Sequence, residues 1–406
     1  MGTHAAGPRN GLCFTCASAI VFSLACAASP TAACAQDVTT IYNFAGEPDG
    51  SIPYAPLIRD AAGNLYGTTG TGGTENAGTV FEIDSQGVET ILHSFGGPPD
   101  GGEPFDGLVR DKEGNLYGTT SYGGTHNLGT VFEVSKAGDE RVLHSFNGAD
   151  GRDPHAGLVL DSEGNLYGTT VYGGSGSCPS VGKMGCGTVF VVNPQGHEHV
   201  LYSFKGGSDG EFPFSTLVRD AAGNLYGTTQ SGGCSDGENC GTVFQITKCG
   251  SEKVIHRFGG SNDGTSPNGL IFGPKGKLYG TTASGGAHSL GTVFELTTRG
   301  DEKVLYSFGG VPNDGTDPEA GLLWDGAATF YGTTEQGGGP GCFNGCGTIF
   351  RVNTAGVETV EYSFGSDSTG GFIPLAALIR APSGNLYGTT AEGGTSGDGT
   401  VFEFTP

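Results

Sequence analysis

Positive charge is scarce in this chain. Only 19 Lys and Arg stand against 42 Asp and Glu over 406 residues, a formal net charge of −23. A surface of that sign repels phosphate backbones and anionic headgroups, which argues against nucleic acid and anionic membranes as partners. Solubility is the ordinary consequence of such an acidic excess. Helix signals are missing too, since no stretch after residue 36 keeps an amphipathic 3.6-residue period for long enough. Hydrophobic residues make up only 35%, a level that would point to disorder in a chain without pattern. The one long uncharged apolar run is at the start: residues 12–28, preceded by Arg9 and followed by Ala33-Cys34-Ala35. A basic residue, an apolar run short of a bilayer span and an A-x-A site predict a signal peptide over 1–35, cleaved after Ala35. The mature protein is then expected outside the cytoplasm, secreted, extracellular or periplasmic, with no membrane span.

What the chain has in abundance is glycine, 78 residues, and repetition. LYGTT begins at Leu65, Leu116, Leu166, Leu225, Leu278 and Leu386, and Phe330–Thr334 is a variant of it. GTVF or GTIF begins at Gly78, Gly129, Gly187, Gly241, Gly291, Gly347 and Gly399. A phenylalanine ends an extended run at 44, 95, 146, 204, 258, 308 and 364, and a proline recurs at 53, 104, 154, 213, 267, 318 and 374. Each unit holds four short runs rich in Val, Leu, Phe, Tyr and Thr, bounded by Gly or Asp. In the second unit these are Pro104–Arg110, Asn115–Ser121, Thr130–Ser135 and Glu140–Phe146. That is strand chemistry joined by hairpin turns. Four strands per unit and seven units predict an all-β fold, a seven-bladed β-propeller forming one domain over 36–406. Val38–Phe44 matches a fourth strand and Thr400–Phe404 a third. The N-terminal strand is therefore predicted to complete the last blade and close the ring without a free edge.

A repeat of this form, with GNLYGTT followed by GTVFE, resembles the GloVer-type tandem repeat of secreted bacterial proteins. The resemblance covers nearly all of residues 38–405. It implies β-propeller-like repeats and no established activity. Members often carry a C-terminal sorting anchor; with Phe404-Thr405-Pro406 at its end, this chain is expected to be released.

Of the 11 cysteines, Cys13, Cys16, Cys26 and Cys34 fall in the signal segment. Six others lie in the loops between second and third strands, spaced as Cys178/Cys186, Cys234/Cys240 and Cys342/Cys346. An export signal makes disulfides the expected state. Zinc ligation is the alternative, against which stand the spacings and the lack of paired histidines. Cys249 is left over.

In a propeller the loops from fourth to first strand and from second to third strand share one face. Here the former read DG-x-x-P, with Asp49, Asp100, Asp150, Asp209, Asp263 and Asp314, and Thr369 in the seventh copy. A ring of carboxylates beside variable, cysteine-bearing loops is the candidate ligand-binding face. Ca²⁺, weakly held, is the only cofactor it suggests, best where Glu103, Asp153, Glu211 or Asp317 adds a carboxylate. The alternative is that each Asp serves its own turn. The tyrosines of LYGTT and phenylalanines of GTVF are expected in the core. No catalytic constellation is visible, and the breaks in sevenfold symmetry are the Cys loops, Trp324 and His197/His199. The reading is an extracellular binding or structural propeller, a monomer, for a glycan or a cell-surface protein. The alternative is an enzyme acting on a polysaccharide or small molecule in the central pit.

Overall fold

A computed structural model describes residues 37–175, 177–234, 240–260, 262–339, 342, 344–365 and 370–406. The predicted signal segment and Thr369 lie outside the described residues. Seven antiparallel four-stranded sheets follow one another along the chain. Blade 1 consists of Ile58–Arg59, Leu65–Thr69, Thr79–Ile83 and Glu89–Ser94. Blades 2 to 6 repeat this order, ending with Glu358–Ser363 in blade 6. Blade 7 takes Ile379–Arg380, Leu386–Thr390 and Thr400–Thr405 from the end of the chain and Asp37–Asn43 from its start. Asp37 pairs with Thr405 and Asn43 with Thr400, so the ring closes as a seven-bladed β-propeller through the N-terminal strand.

The repeat phrases fit this architecture residue by residue. In LYGTT the glycine lies opposite the phenylalanine of GTVF, as Gly67 does Phe81. A Cβ at Gly67 would come within 2.6 Å of that ring, so only glycine admits the phenylalanine there. Each such phenylalanine meets the fourth-strand phenylalanine of the preceding blade edge to face. The seven contacts, from Phe44–Phe81 to Phe364–Phe402, have centroids 5.0–5.3 Å apart. All seven interfaces therefore share one aromatic joint, the geometry that ring quadrupoles favour. The last threonine of LYGTT bonds the first threonine of the third strand at 2.7–2.8 Å in every blade. The threonine before it donates to a carbonyl of the next blade in six of the seven, as Thr68 does to Asp106.

The first strands differ from expectation. Pro104–Arg110 bends at Asp106, and only Val109–Arg110 is paired. The interruption goes with one residue between proline and leucine that six blades have and blade 5 lacks; the residue before each repeat proline is left-handed in all seven. Ile52, Glu103, Asp153, Phe212, Ser266, Asp317 and Ile373 all have φ between 53° and 61°. Such a residue kinks the chain, and the proline that follows has no N–H for a ladder. Both backbone groups of Glu103 are bonded, its N–H to Ala77 and its carbonyl to Ser121. A left-handed conformation costing about 1–3 kcal/mol persists where the surroundings fix it in this way. Blade 5, one residue shorter between its proline (Pro267) and the following leucine (Leu270), instead forms one strand over Gly264–Phe272.

Disulfides join Cys178 to Cys186, Cys234 to Cys240 and Cys342 to Cys346, and Cys249 is free and exposed. Among the described residues no helix is long and apolar enough to cross a membrane.

Candidate functional site

The left-handed kink decides where the chain points next. After it comes the first strand, an edge strand of each four-stranded sheet. Two residues beyond the kink the chain presents Tyr54, Phe105, His155, Phe214, Glu319 and Leu375 in blades 1, 2, 3, 4, 6 and 7. Rings from four successive blades touch in sequence. Tyr54 lies 5.7 Å from Phe105, Phe105 stacks on His155 at 4.6 Å with 7° between planes, and His155 lies 4.7 Å from Phe214. Side chains from four blades can meet this way only around the central channel. Phe214 at the end of this arc is 42% exposed. His155 Nε2 is held at 3.0 Å by Asp153, whose own backbone is one of the kinks.

Carboxylates face the arc. Asp317, Glu319 and Glu335 can bring one oxygen each within 4.8 Å of the others. Burial, then repulsion from Asp317 and Glu335, pushes the Glu319 carboxyl up to about 7. Asp317 and Glu335 are raised as well, chiefly by burial. The Tyr54 phenol is raised by burial first and then by Glu392, Glu103 and Glu335. The mouth of the channel thus has an aromatic side and an acidic side. Three neighbouring carboxyls whose ionisation burial opposes, Glu319 most of all, are an arrangement that can donate and accept hydrogen bonds or move a proton.

The six DG-x-x-P aspartates do not converge on that mouth. Each is engaged in its own loop. Asp49 accepts from Ala45 N, Gly50 N and Tyr42 Oη, and Asp100 from Gly96 N and Gly101 N beside His93. Asp150 accepts from Asn147, Asp209 from Lys205 N and Tyr202, Asp263 from Gly264 N, and Asp314 from Gly309 N, Gly310 N and Tyr306. Each also sits against a fourth-strand side chain and near a glutamate of the next blade. His93, Asp100 and Glu140 form one such group and His144, Asp150 and Glu198 another. Burial and then the facing aspartate push Glu89 up to about 7, and Glu252, Glu302 and Glu358 also reach about 7, with burial the largest cause. In Glu198, burial raises the carboxyl to about 7 although His144 opposes it. At the interface between blades 6 and 7 the glutamate position is Val38, and Thr369 stands for the aspartate.

Unit-specific polar groups exist of which the sequence had marked only Asp153 and Asp317. The Asp153–His155 pair, the Asp317–Glu319–Glu335 cluster and a bond from Thr216 to Asp106 each occur once. The rest escaped notice because repetition drew attention to the constant columns. Aligning the seven copies on their prolines and reading the next three columns would have found His155, Glu319, Asp106 and Thr216. Trp324 donates to Ala327 O, and His197 belongs to a turn on the opposite face. That face also carries a cleft of about 640 Å³ lined by Arg110, Lys112, Arg141, Asp161 and Glu163.

The model of the Gloeobacter/Verrucomicrobia repeat matches residues 17–239 and 236–406. The chain belongs to the Gloeobacter/Verrucomicrobia repeat family. No curated protein matches it. Among solved structures, a streptogramin B lyase is similar at 14% identity with a TM-score of 0.62, over 91% of this chain and 97% of that one. The extracellular domain of a protein described as a one-component system from B. thetaiotaomicron is also similar, at 14% identity and TM-score 0.56. That match covers 91% of this chain and 41% of the other. At such identities the likeness shows the shared propeller fold of this repeat-family member and nothing of its chemistry.

Proposed function

We propose that this repeat-family protein is an extracellular binding propeller that takes a neutral carbohydrate chain across the mouth of its central channel. The observation that carries the reading is the four-blade arc of Tyr54, Phe105, His155 and Phe214. Flat aromatic faces side by side offer apolar area to the C–H faces of sugar rings at small entropic cost. The carboxylates of Asp317, Glu319 and Glu335 opposite them suit sugar hydroxyls as partners. The same charges disfavour uronates and other anionic polymers. Three disulfides support an oxidising, extracytoplasmic setting. A glycan array probed with the mature protein and with Phe105→Ala tests the proposal. Binding to neutral glycans that Phe105→Ala abolishes supports it, and an array without signal overturns it.

A second reading, hydrolysis or elimination at a glycosidic bond, is favoured by Glu319. Burial and two neighbouring carboxylates push Glu319 up to about 7, and a carboxyl raised in this way beside a second carboxyl is the pairing glycoside-cleaving sites use. The structural similarity to a lyase fits that reading at the level of fold alone. Incubating array-positive glycans with the protein and with Glu319→Gln separates the two. Product formation lost in Glu319→Gln supports catalysis, and intact glycans leave binding as the function.

A further inference from the structure

We infer that Asp106 and Thr216 form a positioning clamp beneath the aromatic arc, locking blades 2, 3 and 4 so that Phe105, His155 and Phe214 hold one curved surface. The inference rests on the binding reading above for its functional consequence, and on geometry alone for the clamp.

Asp106 follows Phe105 directly in the inner strand of blade 2. Its carboxylate accepts from its neighbour Gly107 N at 2.6 Å, from Gly157 N of blade 3 at 2.6 Å and from Thr216 Oγ1 of blade 4 at 2.7 Å. Gly157 N also donates to Thr216 Oγ1 at 3.0 Å. Residues 110 apart in sequence are thus joined across the strand between them. The clamp touches each of the three chains one or two residues beyond its ring: Phe105 then Asp106, His155 then Gly157, Phe214 then Thr216. No other blade has these side chains. The Asp106 position is Ala55, Ala156, Ser215, Ala320 or Ala376 elsewhere, and Asn268 in blade 5. The Thr216 position is otherwise Pro56, Gly107, Gly157, Gly269, Gly321 or Ala377.

A second observation places the clamp where the ordinary tie between blades is broken. Six interfaces carry the bond from the first LYGTT threonine to the next blade's inner strand. Thr169, which should make it between blades 3 and 4, has a buried hydroxyl without a partner. The carbonyl it would meet belongs to Ser215, the residue before Thr216. The unit-specific pair stands in for the lost repeat contact and fixes a different local spacing. Burial pushes the Asp106 carboxyl up, while the bonds from Thr216, Gly107 and Gly157 and the nearby His155 work to hold it down, and hydrogen bonds among buried groups gain from the low local dielectric.

The test reads the arc without any ligand. The imidazole carbon-bound proton signals of His155 report its stacking on Phe105 and are assigned by comparison with His155→Gln. Asp106→Ala and Thr216→Val should shift those signals away from their stacked position, and Thr216→Ser, which keeps the hydroxyl, should restore them. Thr281→Val removes an ordinary interblade bond far from the arc. It should lower the melting temperature comparably and leave His155 unmoved. Unshifted His155 signals in folded Thr216→Val would overturn the clamp, and this milder variant guards against Asp106→Ala failing to fold. Cellohexaose is the binding probe. Affinity at least five-fold weaker in Thr216→Val, with Thr216→Ser close to the parent, ties the clamp to the platform. If the parent binds no cellohexaose while His155 still moves, the clamp stands and it is the carbohydrate reading that loses support.

Discussion

Raising the pH from about 5 to about 8 is expected to lower the melting temperature, because five interblade glutamates resist ionisation. Glu89, Glu198, Glu252, Glu302 and Glu358 are pushed from 4.5 to about 7. In each, one carboxylate oxygen is buried without a hydrogen-bond partner. The folded value lies above the unfolded one, so the contribution to stability is complete below about pH 4.5 and lost as the pH rises through about 7. At full burial the displacement would correspond to about 3 kcal/mol per group. These side chains are half-exposed to screening water, and about 1 kcal/mol each is the reasonable figure, or about 5 kcal/mol together. A propeller of this length has an unfolding entropy of about 0.8 kcal/mol per kelvin, which converts that loss into a fall of about 6 °C. Below about pH 4 the sign reverses. Burial works against Asp100 and Asp150, but bonds from His93, His144 and backbone N–H groups outweigh it and hold both carboxyls low. Their protonation then removes stability, so the optimum falls between about pH 4 and about pH 4.5. Thermal melts in buffers of matched ionic strength measure the curve. The double variant Glu198→Gln/Glu302→Gln should melt higher than the parent at pH 8 and show a shallower slope. A melting temperature that is flat or rising from pH 5 to 8 would refute the reasoning.

Deleting residues 38–44 removes the fourth strand of blade 7 and the Phe44–Phe81 contact. The ring phenylalanine alone is worth about 3–5 kcal/mol, so the truncation should melt far lower or fail to fold, and an unchanged melting temperature would show the strand to be dispensable. Mass mapping of secreted protein should return 178–186, 234–240 and 342–346 linkages with a free Cys249; stoichiometric zinc or six free thiols would defeat this. Asp209→Ala and Asp314→Ala should each cost about 1–2 kcal/mol by orphaning turn N–H groups and a tyrosine hydroxyl, equally with and without calcium, as denaturant titrations will report. Calorimetry with chelator-treated protein should give no heat from these loops at millimolar Ca²⁺, since each carboxylate already accepts hydrogen bonds within its own loop.

The architecture was legible because each repeat phrase answers one packing need. LYGTT supplies the glycine that admits a GTVF phenylalanine, and the out-of-phase termini announce the strand that closes blade 7. The cysteine pairs were legible because they sit at matching positions in lengthened loops. The channel mouth was not. His155 and Glu319 each stand in a column whose other members are tyrosine, phenylalanine or leucine, and nothing in either residue's own neighbourhood marks it. Asp106 and Thr216 are 110 residues apart, and only the folding of blade 3 between them brings their inner strands together. The DG-x-x-P aspartates drew attention for the opposite reason. Six copies looked like a collective site, whereas the hydrogen bonds show six separate turns.

The shared blade also fixes an order of manufacture. The first strand made after residue 36 finds its partner, Thr400–Thr405, only when the last residues of the chain have been added. Until then the earlier segment waits with its edge unpaired, and a product that stops short of residue 400 keeps it so. The closed ring pairs both segments in one sheet, and a product lacking either presents an open strand to proteases and to other chains.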